Sequence, residues 1–110
     1  MKIVNKVWGT ERWIINNNLY CMKELHVKAD CTCSLHYHKV KDETFVMKHG
    51  RILLLHNSKL SIFKPGEIVR VKPGEHHKFH ACEDSMMIEV STHHDDRDSY
   101  RLTESKGVEG

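Results

Sequence analysis

A chain of 110 residues with a net charge of +2, counted with neutral histidines, is long enough for one domain with a single hydrophobic core. Its lysines and arginines are scattered among aspartates and glutamates, so the charge pattern indicates binding neither to nucleic acid nor to a membrane surface. No apolar run approaches 18 residues and no charged-then-apolar leader opens the chain. We therefore expect no transmembrane helix, no signal peptide and a cytoplasmic location.

The first 27 residues predict short β-strands. Two β-like pieces surround Trp8 and Trp13, which we interpret as packing residues, and a turn follows at residues 16–18. Alternation over residues 19–27 then separates an apolar set. That set consists of Leu19, Cys21, Lys23, Leu25 and Val27. Lys23 on this face needs a partner or a wet cavity, unless a bulge shifts the register or the side chain snorkels to solvent.

Two histidines follow on the next predicted strand, residues 33–38. His36 and His38 are two residues apart, so both imidazoles project from one face of a strand, about 7 Å apart along it. Glu43 opens the following apolar run and shares a face with Phe45 and Met47. Its carboxylate is therefore predicted to point inward.

The second half of the chain continues the β pattern. Residues 51–56 and 59–63 flank a two-residue turn and predict a hairpin, and further strands are predicted at 68–72, 77–82 and 86–92. Strands at this spacing, without a helical period, predict an all-β double-sheet jelly roll over residues 1–110, with its core at 7–101 and a frayed tail at 103–110.

The strand at 77–82 supplies a fourth candidate ligand. In this strand His77, Phe79 and Ala81 form the apolar set, so His77 is predicted to point inward and His76 outward. Ten histidines give roughly one His-x-His pair by chance, so the prediction depends on the whole ensemble rather than on that pair. The four residues His36, His38, Glu43 and His77 together predict a metal site.

A polar segment follows the last strand. His93 and His94 stand beside three aspartates, which could form a second metal site. Adjacent residues on a strand point in opposite directions, so we interpret residues 93–98 as a solvated end of the domain.

The order of these residues resembles the two motifs of the cupin family. The residues that match the first motif, H-x-H-(x)3,4-E-(x)6-G, are His36, His38, Glu43 and Gly50. Those that match the second, G-(x)5-P-x-G-x-x-H, are Gly66, Gly74 and His77. Lys72 stands where the family usually has its first proline, and Ala81 where it often has asparagine.

The resemblance implies a cupin jelly-roll barrel, or double-stranded β-helix, with one divalent transition metal. Three imidazoles and one carboxylate leave one or two coordination positions open, and they suit Mn, Fe, Co, Ni or Zn better than Ca or Mg. Cupins commonly pair or swap edge strands, which also protects those edges from aggregation. We therefore expect a homodimer.

A broader similarity, from Trp8 to Arg101, is to cupins related to mannose-6-phosphate isomerase, which implies a sugar-like small-molecule substrate. Isomerisation needs a base near the proton alpha to the carbonyl. The inward candidates are Lys23, from its register, and Glu89, from the resemblance, although Glu89 alternates against the apolar Ile88 and Val90. A phosphate would need a basic clamp, for which Lys23, Arg70 and Arg101 are available.

The expected function is therefore that of a metal-dependent sugar or sugar-phosphate isomerase or epimerase. Two other classes stay open. One is a non-catalytic cupin that binds a small molecule or carbohydrate, and the other is an Fe(II)-dependent dioxygenase, because three histidines with open coordination also suit iron and dioxygen.

Overall fold

The computed structural model describes residues 1–107, which form two antiparallel sheets and one 3₁₀ turn at Asp96–Asp98. The strands are β1 (Lys2–Lys6), β2 (Gly9–Asn16), β3 (Cys21–Val27), β4 (His36–Tyr37), β5 (Glu43–His49), β6 (Ile52–His56), β7 (Lys59–Phe63), β8 (Ile68–Val71), β9 (His77–Ala81), β10 (Ser85–Ser91) and β11 (Tyr100–Arg101). One sheet has the order β1-β2-β3-β10-β5-β8, and the other has the order β11-β4-β9-β6-β7. The predicted all-β double-sheet jelly roll is confirmed.

The alternation of inward and outward residues that the sequence predicts is present in the strands of the structure. Buried and partly exposed residues alternate along β3, β5 and β9, and the buried set of β9 includes His77. Leu19 is an exception, with 78% of its surface exposed. It precedes the start of β3 at Cys21, so the alternation of the strand does not extend to it.

Local backbone conformation explains two connections, the turn between β6 and β7 and the glycine that follows β5. Asn57 and Ser58, between β6 and β7, both have positive φ (49° and 66°), as the tight turn of a two-residue hairpin requires. Gly50 follows β5 with φ +90°, and a Cβ there would lie 2.3 Å from Ser85 Oγ. The motif glycine therefore allows the chain to pass directly over the start of β10.

The space between the sheets is apolar toward one end of the strands. Its buried residues include Leu25, Val27, Met47, Ile52, Leu54, Phe63, Phe79, Ala81 and Met87. Buried polar side chains occupy the other end and form the site described below.

The last described residues contact the loop before β4. Thr32 and Lys106 exchange two backbone hydrogen bonds, of 2.7 and 2.8 Å, and Leu102 N donates to Leu35 O. Within the segment that we expected to be a frayed tail, residues 103 and 106 hydrogen-bond through their backbone to residues 35 and 32. The remainder of the expected tail, 108–110, lies outside the described residues. Among residues 1–107 we find no helix with the length and hydropathy that a membrane crossing needs.

Candidate metal centre

The fold brings together the four residues that the sequence predicted as ligands. His36 on β4 lies opposite His77 on β9 in the ladder between these strands. One ring nitrogen from each of His36, His38 and His77 can be chosen so that all three lie within 4.8 Å of one another. Glu43 faces them from the first position of β5 in the other sheet, so the cluster forms between the two sheets.

Backbone carbonyls orient all three imidazoles. The contacts are His36 Nδ1 to Ser34 O at 2.7 Å, His38 Nδ1 to Asp98 O at 3.0 Å, and His77 Nδ1 to Glu75 O at 3.3 Å. A carbonyl oxygen only accepts hydrogen bonds, so each Nδ1 must carry the proton that it donates. With the proton on Nδ1, the neutral form of each ring has its lone pair on Nε2, as in metal-ligating histidines.

Glu43 completes a cluster of hydrogen-bond acceptors. Its Oε1 lies 3.3 Å from His38 Nε2, and its Oε2 lies 3.2 Å from His77 Nε2. Within the described chain, Glu43 Oε2 and His77 Nε2 are buried without a hydrogen-bond partner. A cation between these atoms would satisfy both of them, so the residues fit a metal ion.

The electrostatics of the cluster favour ligand forms of the side chains. Burial, together with the neighbouring His77, lowers the pKa of His36 to about 3, so this imidazole is neutral near pH 7. Burial acts to raise the pKa of Glu43, but contacts with His38, His77 and Lys41 outweigh it and hold the pKa well below its ordinary value.

Lys41 is a buried residue of the site that sequence reasoning missed. Its Nζ lies 2.8 Å from Glu43 Oε1, 2.9 Å from Glu89 Oε2 and 2.8 Å from His94 Nδ1. An ammonium has three donors, and these three acceptors use all of them. Burial lowers the pKa of Lys41, but Glu89 and Glu43 raise it by more, so the net shift is upward. The position of Lys41 two residues before Glu43 was the available signal.

His94 also differs from its expected exposure. Its ring accepts from Lys41 at Nδ1, so it donates from Nε2 to Asp96 Oδ1 at 2.8 Å. The Asn16 side chain holds the His94 backbone through both its N–H and its C=O. These contacts bury His94 (9% exposed), whereas its neighbour His93 is exposed.

Asp98 positions the loop between the ligands. Its carboxylate accepts the backbone N–H groups of Lys39, Val40 and Lys41, and its own carbonyl accepts from His38 Nδ1. These hydrogen bonds lower the pKa of Asp98, against the raising effect of burial. One residue of the polar segment thus holds both His38 and the backbone of Lys41.

The two residues that we considered as bases are both buried beside the metal cluster. Glu89 is 4% exposed, since it alternates with Val90, which is 47% exposed, and it accepts from Ser91 Oγ at Oε2 (3.2 Å). Lys23 is 1% exposed. The doubt about the inward placement of Glu89 is therefore resolved by the register of β10.

A cavity of about 100 Å³ is lined by Lys23, Lys41, Glu43 and Glu89 together with His36 and His38. The charged residues that line it are Lys6, Glu11, Lys23, Lys41, Glu43, Glu89, Asp96 and Arg101. Arg70, a candidate for a phosphate clamp, instead pairs with Asp42 at 2.7 Å on the surface, with 58% of its side chain exposed.

Comparisons with known proteins place this site in a known fold. The family model described as "Cupin domain" matches residues 23–93. No match was found among curated protein sequences. Among solved structures, KdgF from Halomonas sp. has a TM-score of 0.80 and 13% identity, covering 88% of this chain and 90% of that chain.

Two further solved structures have the same TM-score of 0.80. An RmlC-like cupin from Shewanella frigidimarina is 10% identical, with coverage of 87% of this chain and 86% of that one. A variant of Streptomyces PAC13 with uridine is 11% identical, with coverage of 93% and 84%. Identities this low show the fold alone.

Proposed function

Because the chain belongs to the cupin domain family, we propose that it is a metal-dependent enzyme that isomerises or epimerises a small, sugar-like hydroxy-carbonyl compound. The observation that carries this proposal is the convergence of three Nε2 lone pairs and the Glu43 carboxylate, with every Nδ1 held by a backbone carbonyl. His36, His38, Glu43 and His77 would hold the metal. When bound, a divalent transition metal supplies Lewis-acid polarisation of a carbonyl or hydroxyl oxygen.

Glu89 is the better of the two candidate bases. Lys41 and Ser91 both donate to its Oε2, so Oε1 is available as a proton acceptor in the cavity that this residue lines. In the proposed step Oε1 takes the proton from the carbon alpha to the substrate carbonyl, which leaves an enediolate. Isomerisation follows when Oε1 returns this proton to the former carbonyl carbon while the proton of the alpha hydroxyl passes to the former carbonyl oxygen, and epimerisation follows when the enediolate turns over and takes the proton back on its other face. Lys41 holds Glu89 in place while it bonds Glu43 as well.

The structural neighbours support a small polyhydroxy substrate. PAC13 was determined with uridine and is described as a nucleoside dehydratase, and its fold extends over most of this chain. Uridine carries a ribose, so that protein was determined with a sugar-containing molecule. This support applies to the substrate class and leaves the reaction to experiment.

The test begins with elemental analysis of the purified protein. Aldoses and their 6-phosphates are then added to the metal-loaded protein in D₂O, and NMR follows exchange of the C2 proton with solvent. We expect exchange in the wild type, a loss of about 10²-fold or more in Glu89→Gln, and no change in Glu83→Gln, a matched variant at an exposed position.

Other results of the same experiment would favour one of the two alternative functions or contradict the proposal. Bound metal and a bound sugar without turnover would indicate a non-catalytic binding cupin. Oxygen consumption with iron alone would indicate a dioxygenase. Absence of metal after loading would contradict the proposal.

We further propose that the protein is a cytoplasmic homodimer. The outer face of the β6–β7 hairpin, at an edge of the second sheet, carries the cross-strand pairs Leu53–Ile62 and Leu55–Leu60, of which Leu60 is 62% exposed. Covering such a face and edge with a second copy would protect both. Light scattering that gives the mass of one chain would contradict the dimer.

The four free thiols support a reducing compartment, which is the basis for the proposed cytoplasmic location.

A further inference from the structure

The proposed chemistry gives no role to the ammonium group of Lys23, which is a second buried lysine of the cavity. Lys23 is 1% exposed and lines the same cavity as the metal cluster. Within the described chain its ionic contact is with Glu11 Oε1, at 3.6 Å, which is longer than a hydrogen bond. Lys23 Nζ is not among the buried polar atoms that lack a partner, so the ammonium keeps contact with the cavity, where a ligand could supply acceptors for its donors.

Neighbouring side chains hold the ammonium group of Lys23 in a defined position. Its Nζ lies over the Trp13 ring, 4.2 Å from the centroid, and the Trp13 indole N–H donates to Glu11 Oε1 at 2.8 Å. The indole thus fixes Glu11 on one side and supports the ammonium on the other. The remaining donors of Lys23 are left to face the cavity.

The distance between Lys23 and the metal cluster suits a small ligand. Strand β10 lies between β3 and β5. Lys23 pairs with Glu89, and Glu89 pairs with Phe45, two residues from Glu43, so the backbones at Lys23 and Glu43 are roughly 12 Å apart. Both side chains extend into the cavity and shorten this gap. A molecule of a few carbons can therefore place one oxygen group at the metal and another at Lys23.

The charge of the cavity favours an anion. Each of its carboxylates already has a donor at one oxygen, because Lys41 contacts Oε1 of Glu43 and Oε2 of Glu89, the Trp13 indole donates to Glu11, and His94 donates to Asp96. Four basic side chains balance four carboxylates in the lining, so a divalent metal would make the cavity positive by two charges. Among residues 1–107, Lys6 and Arg101 of that lining form none of the ion pairs observed.

We infer that Lys23 receives the carboxylate of a small hydroxy or keto acid whose other oxygen groups reach the metal. This inference rests on the proposed function, since it names the substrate class of the same site. A carboxylate suits Lys23 better than a phosphate does, because Glu11 beside the ammonium would repel a second negative charge at this position. Of the two arginines considered for a phosphate clamp, Arg101 lines the cavity and Arg70 lies outside it.

The test compares matched sugars that differ in charge. Trp13 fluorescence, in a Trp8→Phe background that leaves one indole, reports binding of D-glucuronate, D-glucose and D-glucose 6-phosphate. We expect glucuronate to bind about tenfold or more tightly than glucose, which is the effect of one charge-assisted hydrogen bond. Lys23→Met should remove this preference, and Lys28→Met, an exposed lysine just after β3, should keep it.

The wild-type comparison decides the inference even if Lys23→Met fails to fold. Equal affinity for glucuronate and glucose, including no binding of either, would overturn it, as would tightest binding of the 6-phosphate or a preference that survives in folded Lys23→Met. Metal content, measured separately, is expected to be unchanged in Lys23→Met. Metal binding without a preference for the acid would overturn the inference alone. A Lys23-dependent preference in protein that binds no metal would overturn the proposed function and the metal contact of the ligand, and would leave Lys23 as the carboxylate site.

Discussion

The two ends of the space between the sheets are built by the same strands in opposite ways. Each of β3, β5, β9 and β10 contributes inward residues to both ends. At one end these residues are Lys23, Glu43, His77 and Glu89. At the other they are Leu25, Met47, Ala81 and Met87. A shift of two residues or a few more along any of these strands therefore changes the interior from polar to apolar.

This division separates stability from function. The apolar end contributes through area removed from water, which needs no particular geometry. The polar end depends on matched partners, because a buried ionic network stabilises only when each group is satisfied. We therefore expect substitutions at the two ends to differ in kind, and we rank them by their effect on the free energy of unfolding.

The largest effect is expected for Lys41→Met. The substitution leaves Glu43 and Glu89 buried without the ammonium that contacts both of them. Removal of one partner from a buried ionic network costs about 3–5 kcal/mol. Urea denaturation of metal-free protein measures the loss. Lys48→Met, at an exposed position of β5, is the control. A stability equal to that of wild type would show that Lys41 does not hold the polar end together.

The next effect is expected at the apolar end. Met87 is 1% exposed and lies on the same strand as Glu89. Met87→Ala should cost about 2–5 kcal/mol through lost burial and the cavity left behind. The folded variant should still bind one equivalent of metal, because the ligands lie at the other end. Loss of metal from folded Met87→Ala would contradict the separation of the two ends.

Removal of a metal-binding histidine should abolish metal binding and change the free energy of unfolding only a little. We expect His36→Ala and His77→Ala to lose metal while the metal-free proteins change in stability by only about 1 kcal/mol, because the apolar strands supply most of the stability. Elemental analysis after loading measures the metal. His76→Ala, next to His77 but facing outward, should keep it. Stoichiometric metal in both ligand variants would show that the assignment is wrong.

The sequence was sufficient to predict the features that depend on the alternation of residues within a strand. The inward placement of Glu43 and His77 follows from the apolar residues two and four positions along the same strands, Phe45, Met47, Phe79 and Ala81. The hairpin at residues 51–63 follows from its two-residue turn, which the structure places at Asn57 and Ser58. These features need no knowledge of distant contacts, so the strands and the inward placement of these side chains could be predicted from alternation. That the ligands meet was expected from the ensemble of motif residues and from their resemblance to the cupin motifs.

The polar partners of the ligands could not be predicted in this way. Lys41 precedes β5 and is buried because Glu89 and His94, far along the chain, accept its hydrogen bonds. Asp98 looked like part of a solvated end, but it caps the loop at residues 39–41. Both roles depend on pairings between segments that are distant in sequence, and alternation within a strand does not contain this information.

The smallest effect concerns a residue at the boundary between the two ends. Cys33 packs in the apolar cluster and also lines the cavity. Burial raises the pKa of its thiol to about 12, and burial also raises the pKa of Cys21. The thiolate is the reactive form, so a raised pKa leaves these thiols protonated and unreactive at pH 8, whereas Cys82 is exposed.

A disulfide reagent at pH 8 should therefore titrate one thiol rapidly in the folded protein and all four after denaturation. Cys82→Ser should remove the rapid phase without a change in stability. Rapid reaction of Cys33 in folded Cys82→Ser would mean that solvent reaches the boundary through the cavity. The polar end would then be open as far as Phe79, which donates its backbone N–H to Cys33 Sγ, and the division between a wet end and a dry end would have to be moved toward the apolar core.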